Sequence, residues 1–194
     1  MKKPYGYALI INIKSFEGKT DDGVKLNTRE GCDVDVAKLK DLWQQLGFSV
    51  ITHVDLKAHQ IYTIVSEMAK NKDRLETSSC FVCCIMTHGD MGLIYGSDSK
   101  LLNIKDHITD LFKEKDCSFL AGKPKLFFIQ ACRVAQYLTS TEATSESESA
   151  KAGAQQEGDF QYDQVNASRF RLTADPNEPH FLLGYSTAPG TNNS

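Results

Sequence analysis

Two residues whose types could act together in nucleophilic catalysis follow apolar runs of the sequence. His88 comes soon after the run 79–86, and Cys132 soon after the run 126–129. Runs of this kind are typical of strands buried on both faces, and the carboxyl ends of parallel strands share one edge of a sheet. An imidazole at that edge could accept the proton of a thiol and later protonate a leaving amine. The spacing therefore predicts a thiol and imidazole pair suited to acyl transfer.

Backbone groups beside this pair could complete the chemistry. Gly89 would let the backbone approach a ligand closely, and its N–H, with that of Cys132, could stabilise a tetrahedral oxyanion. On position alone, however, a cysteine at a strand end more often packs inertly, and a His-Gly pair more often forms a turn. The other histidines lie at positions that favour structural roles: His53, His59, His107 and His180.

The elements that must position these residues follow an alternating pattern. Apolar strands alternate with amphipathic helices, which favours a three-layer α/β/α domain with a mostly parallel central sheet. A polar loop over residues 14–31 separates the first strand from the first helix, and loops of that length are usually functional. Strands are predicted at 5–13, 48–54, 79–86, 126–129 and 180–187, and helices at 33–46, 61–68 and 103–112, the last with Asn103 as N-cap.

Composition excludes several classes of protein. The chain has 194 residues, 41% hydrophobic and 24% charged, with a formal net charge of −3. These values fit one globular α/β domain and disfavour a nucleic-acid surface, and no apolar run is long enough to span a bilayer. The only CxxC pair, Cys80 and Cys83, lies in a strand pattern that directs its members to opposite faces. Free thiols in a reducing cytoplasm, with no metal and no cofactor, are therefore expected.

The residues around the two strand ends resemble a known family. Residues 130–133 (QACR), with 87–90 (THGD) upstream, resemble the caspase signature. The resemblance covers positions 7–190 in family order. Its further segments are 29–35 (REGCDVD), 122–127 (GKPKLF) and 181–190 (FLLGYSTAPG).

The resemblance implies the caspase-hemoglobinase fold and a cysteine endopeptidase that cleaves after aspartate in apoptotic signalling. It assigns Cys132 as nucleophile, His88 as general acid and base, and Arg29 and Gln130 to the pocket for the substrate aspartate. A guanidinium binds a carboxylate through two charge-assisted hydrogen bonds, which agrees with that assignment. No carboxylate that would orient the histidine is identifiable. A backbone carbonyl, that of Asn27 or a neighbour in the first loop, is expected instead.

The resemblance also divides the chain into three parts. Residues 1–138 resemble the caspase large subunit, and 176–194 resemble only the first strand of the small subunit. Residues 139–175 are rich in Ser, Thr and Glu, and are predicted to be a disordered linker. Within that linker, Asp159 and Asp163 are candidate processing sites. The expected partners are protein substrates with exposed aspartate motifs and a caspase small subunit or second caspase chain, with no nucleic acid or membrane.

One departure from the family pattern keeps a second function open. Val134 stands where the caspase motif has glycine, and a β-branched residue tolerates a positive φ poorly. Together with the missing part of the small subunit, this leaves an alternative: a truncated or inactive caspase-like chain that binds and regulates a true caspase. A flavodoxin-like ligand-binding domain is disfavoured because the sequence has no phosphate-binding glycine motif.

Overall fold

The computed structural model describes residues 4–90, 92–131, 171–175 and 178–185. Its helices are α1 Cys32–Gln45, α2 Ala58–Ala69 and α3 Lys72–Leu75, and shorter helical turns occur at Lys105–Thr109, Asp110–Phe112 and Ser118–Leu120. Its strands are β1 Gly6–Asn12, β2 Ser49–Val54, β3 Cys80–Met86, β4 Gly89–Asp90, β5 Leu93–Tyr95, β6 Leu101–Asn103, β7 Lys125–Gln130, β8 Arg171–Asp175 and β9 Glu178–Tyr185.

The central sheet has the strand order β2-β1-β3-β7-β9-β8. All of its ladders are parallel except that between β8 and β9. Successive side chains of a strand point to opposite faces, so each central strand contributes to two cores. One core packs Leu9 and Ile11 against α2, and the other packs Ala8 and Ile10 against Trp43 of α1. This confirms the predicted sheet with helices on both faces.

The register of the parallel ladders aligns three strand ends at one edge. Asn12 of β1 is opposite Met86 of β3, and Met86 is opposite Gln130 of β7. Residues paired in register point to the same face, here the face that α1 covers. Neighbouring strands lie about 4.8 Å apart, so Asn12 and Gln130 are separated by roughly 10 Å along this edge.

Strand β9 completes the core next to β7 although it is distant from it in sequence. Five consecutive register positions pair the two strands, from Lys125 with Phe181 to Ile129 with Tyr185. The Phe127 and Phe181 rings stack with centroids 5.6 Å apart and planes inclined by 4°. The strand predicted at 180–187 therefore exists, with the bounds Glu178–Tyr185.

Two sequence predictions need correction. Residues 171–175 were assigned to the disordered linker, but they form β8, because antiparallel pairing with β9 satisfies their backbone groups. The remainder of that linker, with Asp159 and Asp163, lies outside the described residues. The helix predicted at 103–112 is also wrong at its start, since Asn103 ends β6. Its side chain nevertheless caps the following turn by accepting a hydrogen bond from Asp106 N at 3.0 Å.

Helix α1 is less buried than its apolar spacing predicts. Trp43 is buried against the sheet, but Leu42 and Leu46 are 47% and 49% exposed. Beside the helix, an apolar cavity of about 320 Å³ opens over β3, β7 and β9. It is lined by Asp35, Lys38, Leu39, Cys84, Met86, Phe128, Ile129, Gln130 and Gly184. Part of this face of the sheet is therefore uncovered by the residues that the structure describes.

Candidate active site

His88 lies immediately beyond β3, at the carboxyl edge of the sheet. Its Nε2 atom is 2.8 Å from the backbone carbonyl oxygen of Asn27. A carbonyl oxygen can only accept, so this hydrogen bond requires Nε2 to carry the proton, which makes Nδ1 the accepting nitrogen of the neutral ring. The carbonyl expected from the first loop is thus found at Asn27, and it fixes the tautomer of the imidazole.

An aromatic ring also contacts the imidazole of His88. The Phe16 and His88 rings have centroids 4.8 Å apart and an interplanar angle of 36°. Phe16 is partly buried and packs against the main core, so it connects the histidine to a rigid part of the molecule. Sequence reasoning missed Phe16, for which the only signal was a single large aromatic residue near the start of a polar loop.

The loop that carries Asn27 and Arg29 is anchored to the sheet by Asp55. The Asp55 carboxylate accepts hydrogen bonds from Lys14 N at 2.6 Å and from Ser15 N at 2.9 Å. Asp55 has a φ of 52°, a left-handed conformation that aspartate tolerates better than most residues. Farther along the loop, Arg29 N donates to Lys14 O at 2.9 Å. The start of the loop is therefore bonded to the residue that follows β2, and Arg29 is bonded back to the start of the loop.

The tip of β3 is in contact with the tip of β7. Thr87 N donates to Gln130 O at 3.0 Å. A Cβ atom built on Gly89 would lie 2.8 Å from the Cβ of Ala131. His88 is therefore flanked on both sides by residues that touch the segment immediately before Cys132. Cys132 itself lies outside the described residues.

The short antiparallel sheet determines the direction of the Gly89 amide. Tyr95 N donates to His88 O at 2.9 Å, and Gly89 is opposite Ile94. Hydrogen-bonded and non-hydrogen-bonded pairs alternate along an antiparallel ladder, so Gly89 and Ile94 form a non-hydrogen-bonded pair. The Gly89 N–H consequently points away from β5.

Arg29 and Gln130 lie at the same edge of the sheet, on the side of α1. The Arg29 guanidinium donates through Nη1 to Asn12 Oδ1 and to Ile13 O, each at 3.0 Å. Gln130 is exposed at the end of β7 and borders the apolar cavity. The two residues thus occupy opposite ends of the row of strand tips, above β1 and above β7.

Four other thiols of the protein are unsuited to catalysis, three in β3 and one at Cys117. Burial raises the pKa of Cys80 to about 11 and that of Cys84 to about 12. Burial likewise raises the pKa of Cys83 and of Cys117. A thiol with a raised pKa forms little thiolate at neutral pH, so these four cysteines are structural. Among the residues whose placement is known, no cluster of three or more potential metal ligands occurs.

Within the described ranges, no helix has the combination of length and apolarity needed to cross a bilayer.

Substitution of Gly89 by alanine should destabilise the protein. The added methyl group would meet Leu93 O at 2.5 Å and Ala131 Cβ at 2.8 Å, both closer than van der Waals contact. Overpacking of this kind costs about 1–3 kcal/mol, which should lower the urea midpoint of unfolding. The double variant Gly89→Ala with Ala131→Gly should recover only part of the loss, because the Leu93 carbonyl remains. An unchanged midpoint for Gly89→Ala would contradict the observed packing.

Comparison with known proteins places the sequence in a family. The sequence matches the Caspase domain family of C14 peptidases over residues 5–192. Caspase-7 of Gallus gallus is 37% identical over 188 residues, which cover 97% of this chain and 54% of that protein. Caspase-8 of Mus musculus is 35% identical, with 95% of this chain and 36% of that protein covered. Caspase-3 of Mesocricetus auratus is 35% identical, with coverage of 95% and 57%.

The chain therefore spans between about a third and somewhat over half of the length of these curated relatives. The match to the Caspase domain nevertheless extends over nearly the whole sequence. With its parallel sheet and the histidine beside the tip of β7, the chain belongs to the caspase domain family.

Proposed function

We propose that this chain supplies the catalytic residues of a cysteine endopeptidase that cleaves proteins after aspartate in apoptotic signalling. Cys132 is the nucleophile and His88 the general acid and base. The observation that carries the proposal is the position of His88, whose Nε2 is held by Asn27 O and whose neighbours touch Gln130 and Ala131. An imidazole oriented in this way would serve the thiol of Cys132, which follows Ala131 in the sequence.

The proposed reaction follows from the tautomer. Nδ1 of His88 accepts the thiol proton of Cys132, and the thiolate attacks the carbonyl carbon of the substrate aspartyl residue. The tetrahedral intermediate then collapses, breaking the C–N bond, and the imidazolium gives its proton to the departing amine. Water, deprotonated by the same imidazole, hydrolyses the resulting thioester and restores the free thiol.

The Gly89 backbone N–H would stabilise the oxyanion of that intermediate together with the N–H of Cys132. The direction of the Gly89 amide, away from β5, supports this role, because a donor engaged in the ladder could not bind a ligand. Donors that are fixed before the reaction begins lower the barrier without a cost of reorganisation.

Arg29 and Gln130 would bind the side chain of the substrate aspartate. Both lie on the face of the sheet that α1 covers. Arg29 is bonded to Asn12 at the end of β1, and Asn12 and Gln130 are roughly 10 Å apart along the row of strand ends. Long arginine and glutamine side chains can converge on one carboxylate across such a gap. The guanidinium would supply the charge and the glutamine amide a further donor.

Three further features belong to the proposal. The uncovered apolar face beside α1, with Leu42 and Leu46, would receive a caspase small subunit or a second caspase chain. Processing would occur after Asp159 or Asp163. The site of action would be the cytoplasm, where the cysteines stay reduced.

Peptide cleavage tests the proposed specificity. Four substrates that differ only in the residue before the scissile bond, Asp, Asn, Glu or Ala, would be compared with the active, full-length protein. Because an Asn side chain lacks the charge that Arg29 recognises, kcat/KM should be roughly 100-fold higher for the Asp peptide. Similar values for all four peptides would contradict the aspartate pocket. Tight binding to another caspase without any turnover would instead favour the inactive regulatory chain.

A further inference from the structure

Asn12 is a fully buried polar residue at the end of β1, and it contacts two segments of the candidate site. Its Oδ1 accepts a hydrogen bond from Arg29 Nη1 at 3.0 Å. Its Nδ2 donates to Cys32 Sγ, at the first residue of α1, at 3.3 Å. A buried amide must be hydrogen-bonded, so Asn12 is held in one orientation by these partners on either side.

The same bonds fix the direction of the Arg29 guanidinium. Nη1 donates both to Asn12 Oδ1 and to Ile13 O, so two acceptors from adjacent residues define the plane of the planar group. The backbone of Arg29 is attached nearby, through Arg29 N and Lys14 O. A guanidinium restrained at both its backbone and its head loses little conformational entropy when it binds a ligand.

We propose that Asn12 is a positioning residue for the aspartate pocket, because its side-chain oxygen orients the Arg29 guanidinium without neutralising it. This inference rests on the proposed function of Arg29. A neutral amide oxygen accepts the hydrogen bond and adds no negative charge beside the guanidinium. A carboxylate in its place would form an ion pair with Arg29 and compete with the substrate for that charge.

The substitution Asn12→Asp tests this proposal because it retains the size of the side chain. Asp accepts from Arg29 as Asn does, and the Cys32 thiol can donate to the new oxygen where it previously accepted. The change is therefore mainly one of charge, and the thermal unfolding midpoint would establish that the variant is folded.

For Asn12→Asp in the active, full-length protein, kcat/KM for the Asp peptide should fall roughly 10- to 100-fold, mainly through KM. Cleavage of the Asn peptide should change little, so the ratio of the two kcat/KM values should fall. A purely structural role would lower both rates together and leave that ratio unchanged. The matched control is Asn71→Asp, which makes the same substitution at the N-cap of α3 and should preserve the ratio.

Arg29→Gln separates the inference from the proposed function. If Arg29→Gln lowers the ratio while folded Asn12→Asp does not, the positioning role is overturned and the aspartate pocket stands. If neither variant changes the ratio, both are overturned. Should Asn12→Asp fail to fold, Asn12→Ser provides the measurement, since its shorter side chain cannot reach Arg29. An unchanged ratio in folded Asn12→Ser would overturn the positioning role.

Discussion

Cys132→Ala is expected to abolish cleavage of aspartate peptides, with kcat reduced by at least about 10⁴-fold. The variant lacks the sulfur that would form the thioester, and none of the four thiols of raised pKa can replace it. The measurement is release of the amine product at saturating substrate, with the unfolding midpoint as a check on folding. The far-UV circular dichroism should remain unchanged.

Cys80→Ala is the matched control for this prediction. Cys80 is a half-buried cysteine, and burial raises its pKa to about 11, so it is not a nucleophile at neutral pH. Its replacement should leave kcat within about twofold of the original, because it removes a thiol that is protonated throughout the reaction. Equal turnover by Cys132→Ala and Cys80→Ala would rule out the proposed mechanism.

His88→Gln should lower kcat by about 10²- to 10⁴-fold. The glutamine amide can still donate a hydrogen bond to Asn27 O, so the loop should keep its position. It has no nitrogen that titrates near neutral pH, and therefore cannot accept the thiol proton or protonate the amine. Because Arg29 and Gln130 are untouched, KM for the Asp peptide should change far less than kcat.

The control for the second prediction is His59→Gln, since His59 lies on the exposed side of α2. Both kinetic constants should be retained in that variant. Equal kcat values for the two glutamine variants would show that His88 takes no part in proton transfer.

Periodicity and residue type were sufficient to predict the sheet and the edge at which the candidate site lies. The apolar runs at 79–86 and 126–129 correspond to β3 and β7, and their parallel pairing places His88 beside the end of β7. This succeeded because buried parallel strands have a strong local signature, and because parallel strands necessarily end at the same edge.

The supports of the site could not be predicted in the same way. The supporting residues contact residues that are distant in the sequence; they are Asp55, Phe16 and Asn12. The separations range from 17 positions for Asn12 and Arg29 to 72 positions for Phe16 and His88. Each is a common residue type, and its role depends on the position of the loop over residues 14–31 in the folded protein. No local pattern encodes that position.

Helix α1 shows what the spacing of apolar residues cannot predict. The spacing of its apolar residues correctly predicts a helix, but it gives no information on which neighbours are present to cover them. Trp43 reaches the sheet, whereas Leu42 and Leu46 do not. Strand β8 was missed for the opposite reason, since five residues of mixed polarity become a strand only through their partner β9.

The pairing of β9 with β7 has a consequence for a polypeptide cut between residues 131 and 171. The two pieces would still share a continuous ladder and the stacked Phe127 and Phe181 rings, so a nick would not by itself release the second piece. Their reassociation after dissociation would, however, become bimolecular and dilution-sensitive, because the tether that provides a high effective concentration would be gone. A nicked chain is thus a non-covalent heterodimer held by its own sheet.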